Sequence, residues 1–170
     1  MIPRRALLIT GTFLLAVLLY VDRICISAAK DGITRHLGLT DKQFGWVLSA
    51  FALGYALFQT PGGWLADRFG RVRMAAWMIV LFSIGSMLLG FAQSYPQFIA
   101  IRFITGIGLG AVYTICPMLM AGYVPARMPT SLLGTLQASY SLGYLAAALL
   151  AGAILPTFGW RWMYYIAIVP

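Results

Sequence analysis

Four stretches of the chain, 43–66, 74–101, 103–126 and 128–160, contain no Asp, Glu, Lys, Arg or His. Each is longer than the ~20 residues that a helix needs to cross ~30 Å of hydrocarbon. A backbone in that medium finds no water to bond, so such segments must satisfy their peptide groups internally as helices. A soluble fold is excluded by the same pattern: only 9% of residues are charged and the mean hydropathy is +0.86, where soluble domains carry about 25% charge. A fifth run, 6–21, reaches crossing length only if Asp22 and Arg23 lie inside the span, and a sixth opens after Arg161 and reaches Pro170. The spacing predicts an all-α integral membrane protein with spans at about 6–29, 43–64, 74–93, 97–121 and 130–155 and an incomplete one at 160–170.

Arg4 and Arg5 precede the first apolar run, as in a secretory leader. That run is longer than the ~7–15 residues of a leader core and more spans follow at once, so a membrane span is expected. Cys25 and Cys116 both fall inside predicted spans, which argues against a disulfide framework or a paired metal motif. No cofactor and no metal are expected, and no nucleophile stands with a base, so the chain does not read as an enzyme.

Basic residues resist translocation and collect on the cytoplasmic side. With the N-terminus inside, the cytoplasmic segments hold six (Arg4, Arg5, Arg68, Arg71, Arg73 and Arg127) and the outer ones four (Lys30, Arg35, Lys42 and Arg161). The expectation is a multi-pass protein of the cytoplasmic (inner) membrane, its N-terminus cytoplasmic. The formal net charge of +8 sits at span edges, so topology explains it and nucleic acid is not an expected partner. The connections "KDGITRHLGLTDKQ", "DRFGRVR", "QSYPQ", "VPARMPT" and "PTFGWR" are short and turn-like. The text "RFGRVRM" at 68–74 is echoed by "TFGWRWM" at 157–163, as two inverted copies of three spans would give.

The segment "GGWLADRFGRVR", 62–73, resembles the loop signature of the major facilitator superfamily, Gly-x-x-x-Asp-Arg-x-Gly followed by basic residues. Gly63, Asp67, Arg68, Gly70 and Arg73 match it, Arg71 adds a further charge, and Val72 stands where a basic residue is common. Gly70 permits a tight turn, and Asp67 among three arginines can form a charge network that is remade when domains rock. More narrowly, "YVDRICISAA", "LGLTDKQFGWVLSAFALGYALFQTPGGWLADRFG", "RFITGIGLG" and "GWRWMYY" resemble the N-terminal half of the anion:cation symporters of that superfamily. The resemblance implies twelve spans in two halves. This chain would be the first six-helix bundle, a 3+3 inverted repeat with its sixth helix truncated, lacking the C-terminal six-helix half. It also implies a small organic anion substrate, such as a sugar acid or other carboxylate, moved across the lipid bilayer by alternating access with H+ or Na+. In that resemblance the arginine at position 23 contacts the substrate's acid group.

The residues support this reading independently. Charges within a bilayer are costly and mark substrate or ion paths. Arg23 shares a helix face with Thr12, Ala16, Tyr20 and Ser27 at three- and four-residue spacing, and its planar fork of donors suits a carboxylate. Asp22 either balances a neighbouring arginine or couples an ion. Arg102, at a similar depth, either assists or gates the anion or forms a structural ion pair with Asp22. Tyr55 and Gln59 share a face, and Tyr113 follows Arg102 by about three turns, so these join the candidate cavity lining. The symporters often carry a glutamate seven residues after the span-four arginine, tied to proton coupling; Leu109 stands there, and the chain contains no glutamate. Asp22 is then the sole carboxylate within a predicted span, and the coupling ion stays open. A drug:proton antiporter would normally show Gly-x-x-x-Gly-Pro in span five, and 132–155 contains no proline. That antiporter is the alternative transporter, and a non-transporting membrane scaffold is the alternative of another class.

Overall fold

The computed structural model of the chain describes residues 10, 11, 13, 17, 20, 21, 23–121 and 129–166. Its described residues are helical nearly throughout. Helix α1 covers the described positions between 10 and 28, followed by α2 (Lys30–Leu37), α3 (Asp41–Phe69), α4 (Arg71–Phe91), α5 (Tyr95–Ala121), α6 (Pro129–Phe158) and α7 (Trp160–Ile166). Three of these helical segments, Arg71–Phe91, Tyr95–Leu119 and Gln137–Phe158, are long and apolar enough to cross a membrane.

Helix α2 corrects the expectation of a turn-like connection after residue 29. Its polar residues Lys30, Asp31, Thr34 and Arg35 surround Ile33, which is fully buried. The acid lies in the first turn and Arg35 in the last, both favourable against the helix dipole. The Ala29 amide donates to the Cys25 carbonyl at 2.9 Å and the Ile33 amide to the Ala29 carbonyl at 3.0 Å, so α1 and α2 run on through a turn at Ala29. Gly38, at φ 62°, then ends α2. Thr40 starts α3 with a capping box: its hydroxyl accepts from the Gln43 amide at 3.3 Å, and the Gln43 side chain accepts from the Thr40 amide at 2.9 Å.

The echoed Phe-Gly pairs do the same job twice. Gly70, φ 93°, is the single residue between α3 and α4, and Gly159, φ 78°, the single residue between α6 and α7. Each reverses one helix directly into the next with a backbone conformation that side-chain-bearing residues resist.

Helices α3 and α5 form the central seam. A Cβ on Gly54 would strike the Phe103 carbonyl, one on Gly106 the Phe51 carbonyl and one on Gly110 the Tyr55 carbonyl. Small residues on both helices therefore bring the two backbones together, as packing without a hydrophobic driving force requires. Helix α4 covers the other side of α5, where a Cβ on Gly108 would stand 3.1 Å from the Met78 carbonyl. Gly143 of α6 receives α1 in the same way, against Tyr20 and the Val17 carbonyl. Ser139, Ala147 and Ala151, which continue from Gly143 at four-residue spacing on the same face of α6, are buried.

Three apolar clusters lie along the bundle. Cys25, Ile33, Val47, Leu89, Phe98, Ile154 and Trp160 gather with others at the Gly159 end. Phe51, Phe82, Leu109, Val112 and Cys116 fill the middle, and Ala66, Met74, Ala75, Ala111 and Ile115 the Gly70 end. Large apolar side chains such as Trp77 and Leu149 remain on the outside, 66% and 67% exposed, where lipid rather than water suits them.

Candidate functional site

The middle of the bundle holds a ring of tyrosines closed by an arginine. Tyr20 of α1 stacks on Tyr140 of α6 with ring centres 4.5 Å apart. Tyr140 lies 5.7 Å from Tyr113 of α5, and Tyr113 lies 5.8 Å from Tyr55 of α3. The Arg23 guanidinium closes the circuit, 5.5 Å from the centre of the Tyr55 ring and 5.8 Å from that of Tyr20. Four helices thus contribute to this ring, α1 through two residues and α3, α5 and α6 through one each.

These five residues, with Leu109 and Cys116, line a cavity of about 20 Å³, room for about one water. A cation against two aromatic faces is held in place by the ring quadrupoles. Arg23 is exposed and Tyr113 is 38% exposed, so the site opens on one face of the bundle. The lining is aromatic and apolar apart from the guanidinium, the phenol hydroxyls and the Cys116 thiol. It can take an anionic head on the guanidinium and flat apolar surface against the rings.

Of the residues singled out from the sequence, Arg23, Tyr20, Tyr55 and Tyr113 come together here. Gln59 stands one turn along α3, beside the Tyr55 hydroxyl, and is not among the residues lining the cavity. Asp22 lies outside the described residues. Leu109, where the resemblance expects a glutamate, is buried in the cavity wall. Tyr140 and Cys116 were not singled out as lining. The only signal for Tyr140 was its four-residue spacing from Tyr144, whose ring is 5.4 Å from Tyr20.

Arg102 is placed elsewhere. It is 1% exposed, it donates from Nη2 to the Tyr164 hydroxyl at 2.9 Å, and it lies 5.5 Å from the Phe51 ring centre. Phe51 in turn stacks against Tyr55 with centres 6.4 Å apart. The two arginines therefore sit at opposite ends of a two-ring stack rather than in one cavity.

At the Gly70 junction, Asp67 accepts from Arg71 Nη2 at 3.1 Å and from Nε at 3.3 Å. Arg71 Nη1 donates to the Met118 carbonyl at 3.2 Å, near the C-terminus of α5, where a cation also meets the negative end of the helix dipole. Arg68 lies instead over Trp64 and Phe69, and Arg73 is exposed. A Cβ on Gly63 would stand 3.3 Å from the Thr114 methyl, which keeps the end of α3 close to α5.

A helical bundle with a guanidinium in an aromatic cavity at mid-length, and with irregular backbone confined to its ends among the described residues, has the build of a multi-pass membrane protein. The chain matches the Major Facilitator Superfamily over residues 12–170 and belongs to that family. It is 42% identical over 149 residues to the cis,cis-muconate transport protein of Acinetobacter baylyi, covering 88% of this chain and 36% of that protein. It is 33% identical over 150 residues to the niacin transporter NiaP of the same organism, covering 88% of this chain and 34% of that one. A bacterial homolog of the human lysosomal transporter Spinster, in an inward-facing and occupied conformation, superposes with a TM-score of 0.88 at 24% identity, covering 100% of this chain and 42% of that one. The fold is that of one half of a major facilitator transporter, with the short helix α2 added between its first two long helices. The chain thus spans about a third of the length of these curated relatives, which are transporters and not enzymes.

Proposed function

We propose that these residues form the N-terminal half of a transporter that moves a small carboxylate across the cytoplasmic membrane by alternating access, coupled to H+ or Na+. The observation that carries the reading is Arg23 among Tyr20, Tyr55, Tyr113 and Tyr140. The guanidinium binds the carboxylate, and the rings flank the body of the substrate. A cavity of about 20 Å³ is too small for any such anion, so a second six-helix half completes the site around the exposed edge of Arg23. The aromatic lining favours a flat, conjugated acid over a sugar acid, whose hydroxyl groups would find few partners there. Muconate and niacin, the cargoes named for two relatives, are both planar conjugated carboxylates.

Arg102 acts outside the binding cavity, holding α5 to α7 and setting Phe51 behind Tyr55. Asp22 balances charge or couples the ion. The Asp67–Arg71–Met118 contact joins the α3–α4 junction to α5 on the cytoplasmic side and acts on conformational state. Uptake of labelled cis,cis-muconate, nicotinate and galactonate by cells expressing the full-length transporter, at two pH values with and without sodium, tests the reading. Saturable uptake of the planar acids supports it, and the pH and sodium dependence identifies the coupling ion. Uptake of galactonate alone overturns the aromatic preference, and no uptake of any carboxylate overturns the anion reading.

A further inference from the structure

At the Gly159 end, the last turn of α2 meets the first turn of α7. Arg161 Nη2 stands 2.9 Å from His36 Nε2. A guanidinium has donors only, so Nε2 must offer its lone pair; the ring proton then sits on Nδ1 and the imidazole is neutral. The contact is a built one. The Trp160 ring lies 6.0 Å from the imidazole and 5.2 Å from the Arg161 guanidinium. Gly32 makes room for that ring, since a Cβ there would come within 2.8 Å of Trp160 Cδ1.

Protonation turns the acceptor into a second donor and sets two cations face to face. The charged groups around this end are together net positive. On α2 they are Lys30, Asp31 and Arg35; α3 brings Asp41, already held by Lys30 at 2.8 Å, and Lys42; the described part of α7 brings Arg161 alone. A proton on His36 therefore opposes the tether between α2 and α7.

Helix α2 is bonded through Ala29 to α1, the helix that carries Arg23, and the two residues are separated by about 20 Å of helix at ~1.5 Å per residue. We propose that His36 is a proton-sensitive positioning residue for Arg23. Neutral, it ties α2, and through the turn at Ala29 α1, to the α6–α7 junction and holds the guanidinium within the tyrosine ring. Protonated, it releases that tie and weakens carboxylate binding. The effect on binding rests on the reading of Arg23 as the anion site; the tether itself does not.

The test uses the full-length transporter in lipid nanodiscs and proteoliposomes, comparing the parent with His36→Gln, whose side-chain oxygen still accepts from Arg161 but takes no proton. Hydrogen exchange of the α2 amides, normalised to intrinsic rates, is measured at pH 7.5 and 5.5. The KM for cis,cis-muconate is measured by counterflow at the same values with equal pH on both sides, so no proton gradient contributes. The parent is expected to lose α2 protection at pH 5.5 and to show KM raised about five-fold, the worth of one net hydrogen bond; His36→Gln is expected to show neither change. Equal α2 protection at both pH values in the parent, or the same pH response in His36→Gln, overturns the tether. Loss of α2 protection with an unchanged KM, or with no saturable carboxylate transport at any pH, overturns the positioning of Arg23 while the tether stands.

Discussion

Arg23 on α1 and Tyr55 on α3 meet with the guanidinium carbon 5.5 Å from the ring centre, and this cation–ring contact draws together two of the four helices that line the proposed anion site. Arg102 makes the corresponding contact with Phe51 at 5.5 Å, one turn away on α3 and on the opposite side of the stacked pair Phe51–Tyr55. One arginine faces the cavity and the other is sealed into the bundle, so their substitutions have different consequences.

Tyr140 supplies a stacked wall, 4.5 Å from Tyr20 and 5.7 Å from Tyr113. Tyr140→Phe is expected to keep the KM for a planar carboxylate within about two-fold, because the ring face remains. Tyr140→Ala is expected to raise it by about ten-fold, in line with ~0.5–1.5 kcal/mol for an aromatic pair beyond its burial. Radiolabel uptake by the full-length transporter at a series of concentrations distinguishes the two.

Gly106 has no room for a methyl group against the Phe51 carbonyl, whereas a Cβ on Gly152 would meet nothing within 4 Å. Gly106→Ala is expected to destabilise the α3–α5 seam by about 1–3 kcal/mol, and Gly152→Ala to leave it unchanged. Thermal unfolding midpoints of the two purified variants check the contrast.

Asp67 orients Arg71 toward the Met118 carbonyl. Both side chains of the pair are about half exposed, so Asp67→Asn is expected to cost no more than ~1 kcal/mol of stability. If the junction acts on conformational state, the variant lowers the maximal transport rate several-fold with little change in KM. Unchanged uptake removes the junction from the transport cycle.

Lys30 and Asp41 pair at 2.8 Å between α2 and the start of α3. The hydrogen bond and charge of Asp41 raise the Lys30 ammonium above its ordinary 10.5, and those of Lys30 hold the Asp41 carboxyl below its ordinary 3.8. The pair's contribution is full between those values. It is lost as pH falls below 3.8 through the lowered carboxylate pKa, and lost again as pH rises above 10.5 through the raised ammonium pKa. The Lys30 side chain is about half exposed and that of Asp41 largely so, so the difference in α2 hydrogen exchange between parent and Asp41→Asn is expected to be small, constant from pH 5 to 9 and reduced by salt. A difference that varies within that window would contradict the assignment.

Helix existence was legible because charge-free runs of crossing length admit little else, and the α3–α4 junction because Gly70 and its charges sit at fixed spacing. Arg23 stood out as a charge in oil, and Tyr20 as its neighbour at three-residue spacing. Helix α2 was hidden by its polarity: in a chain this apolar, "KDGITRHL" reads as a connection although Ile33 and Leu37 give it a buried edge. Tyr140 was hidden for a different reason. Helix α6 carries Gln137, Tyr140, Ser141 and Tyr144 at three- and four-residue spacing, but that pattern suits hydrogen bonding between packed helices as well as cavity lining, so it does not single out Tyr140. The separation of Arg102 from Arg23 was beyond the sequence as well, because depth in the membrane can be counted in residues while rotation about the helix axis cannot.

The central claim is that the Arg23 guanidinium binds the substrate's carboxylate, and equilibrium binding of cis,cis-muconate to the purified full-length transporter tests it most directly. Arg23→Lys retains the charge but not the planar fork, so the account predicts affinity weakened about ten- to a hundred-fold, in keeping with ~1.5–3 kcal/mol for a hydrogen bond to a charged group, and lost altogether in Arg23→Ala. Arg23→Lys or Arg23→Ala binding the anion as tightly as the parent would contradict it.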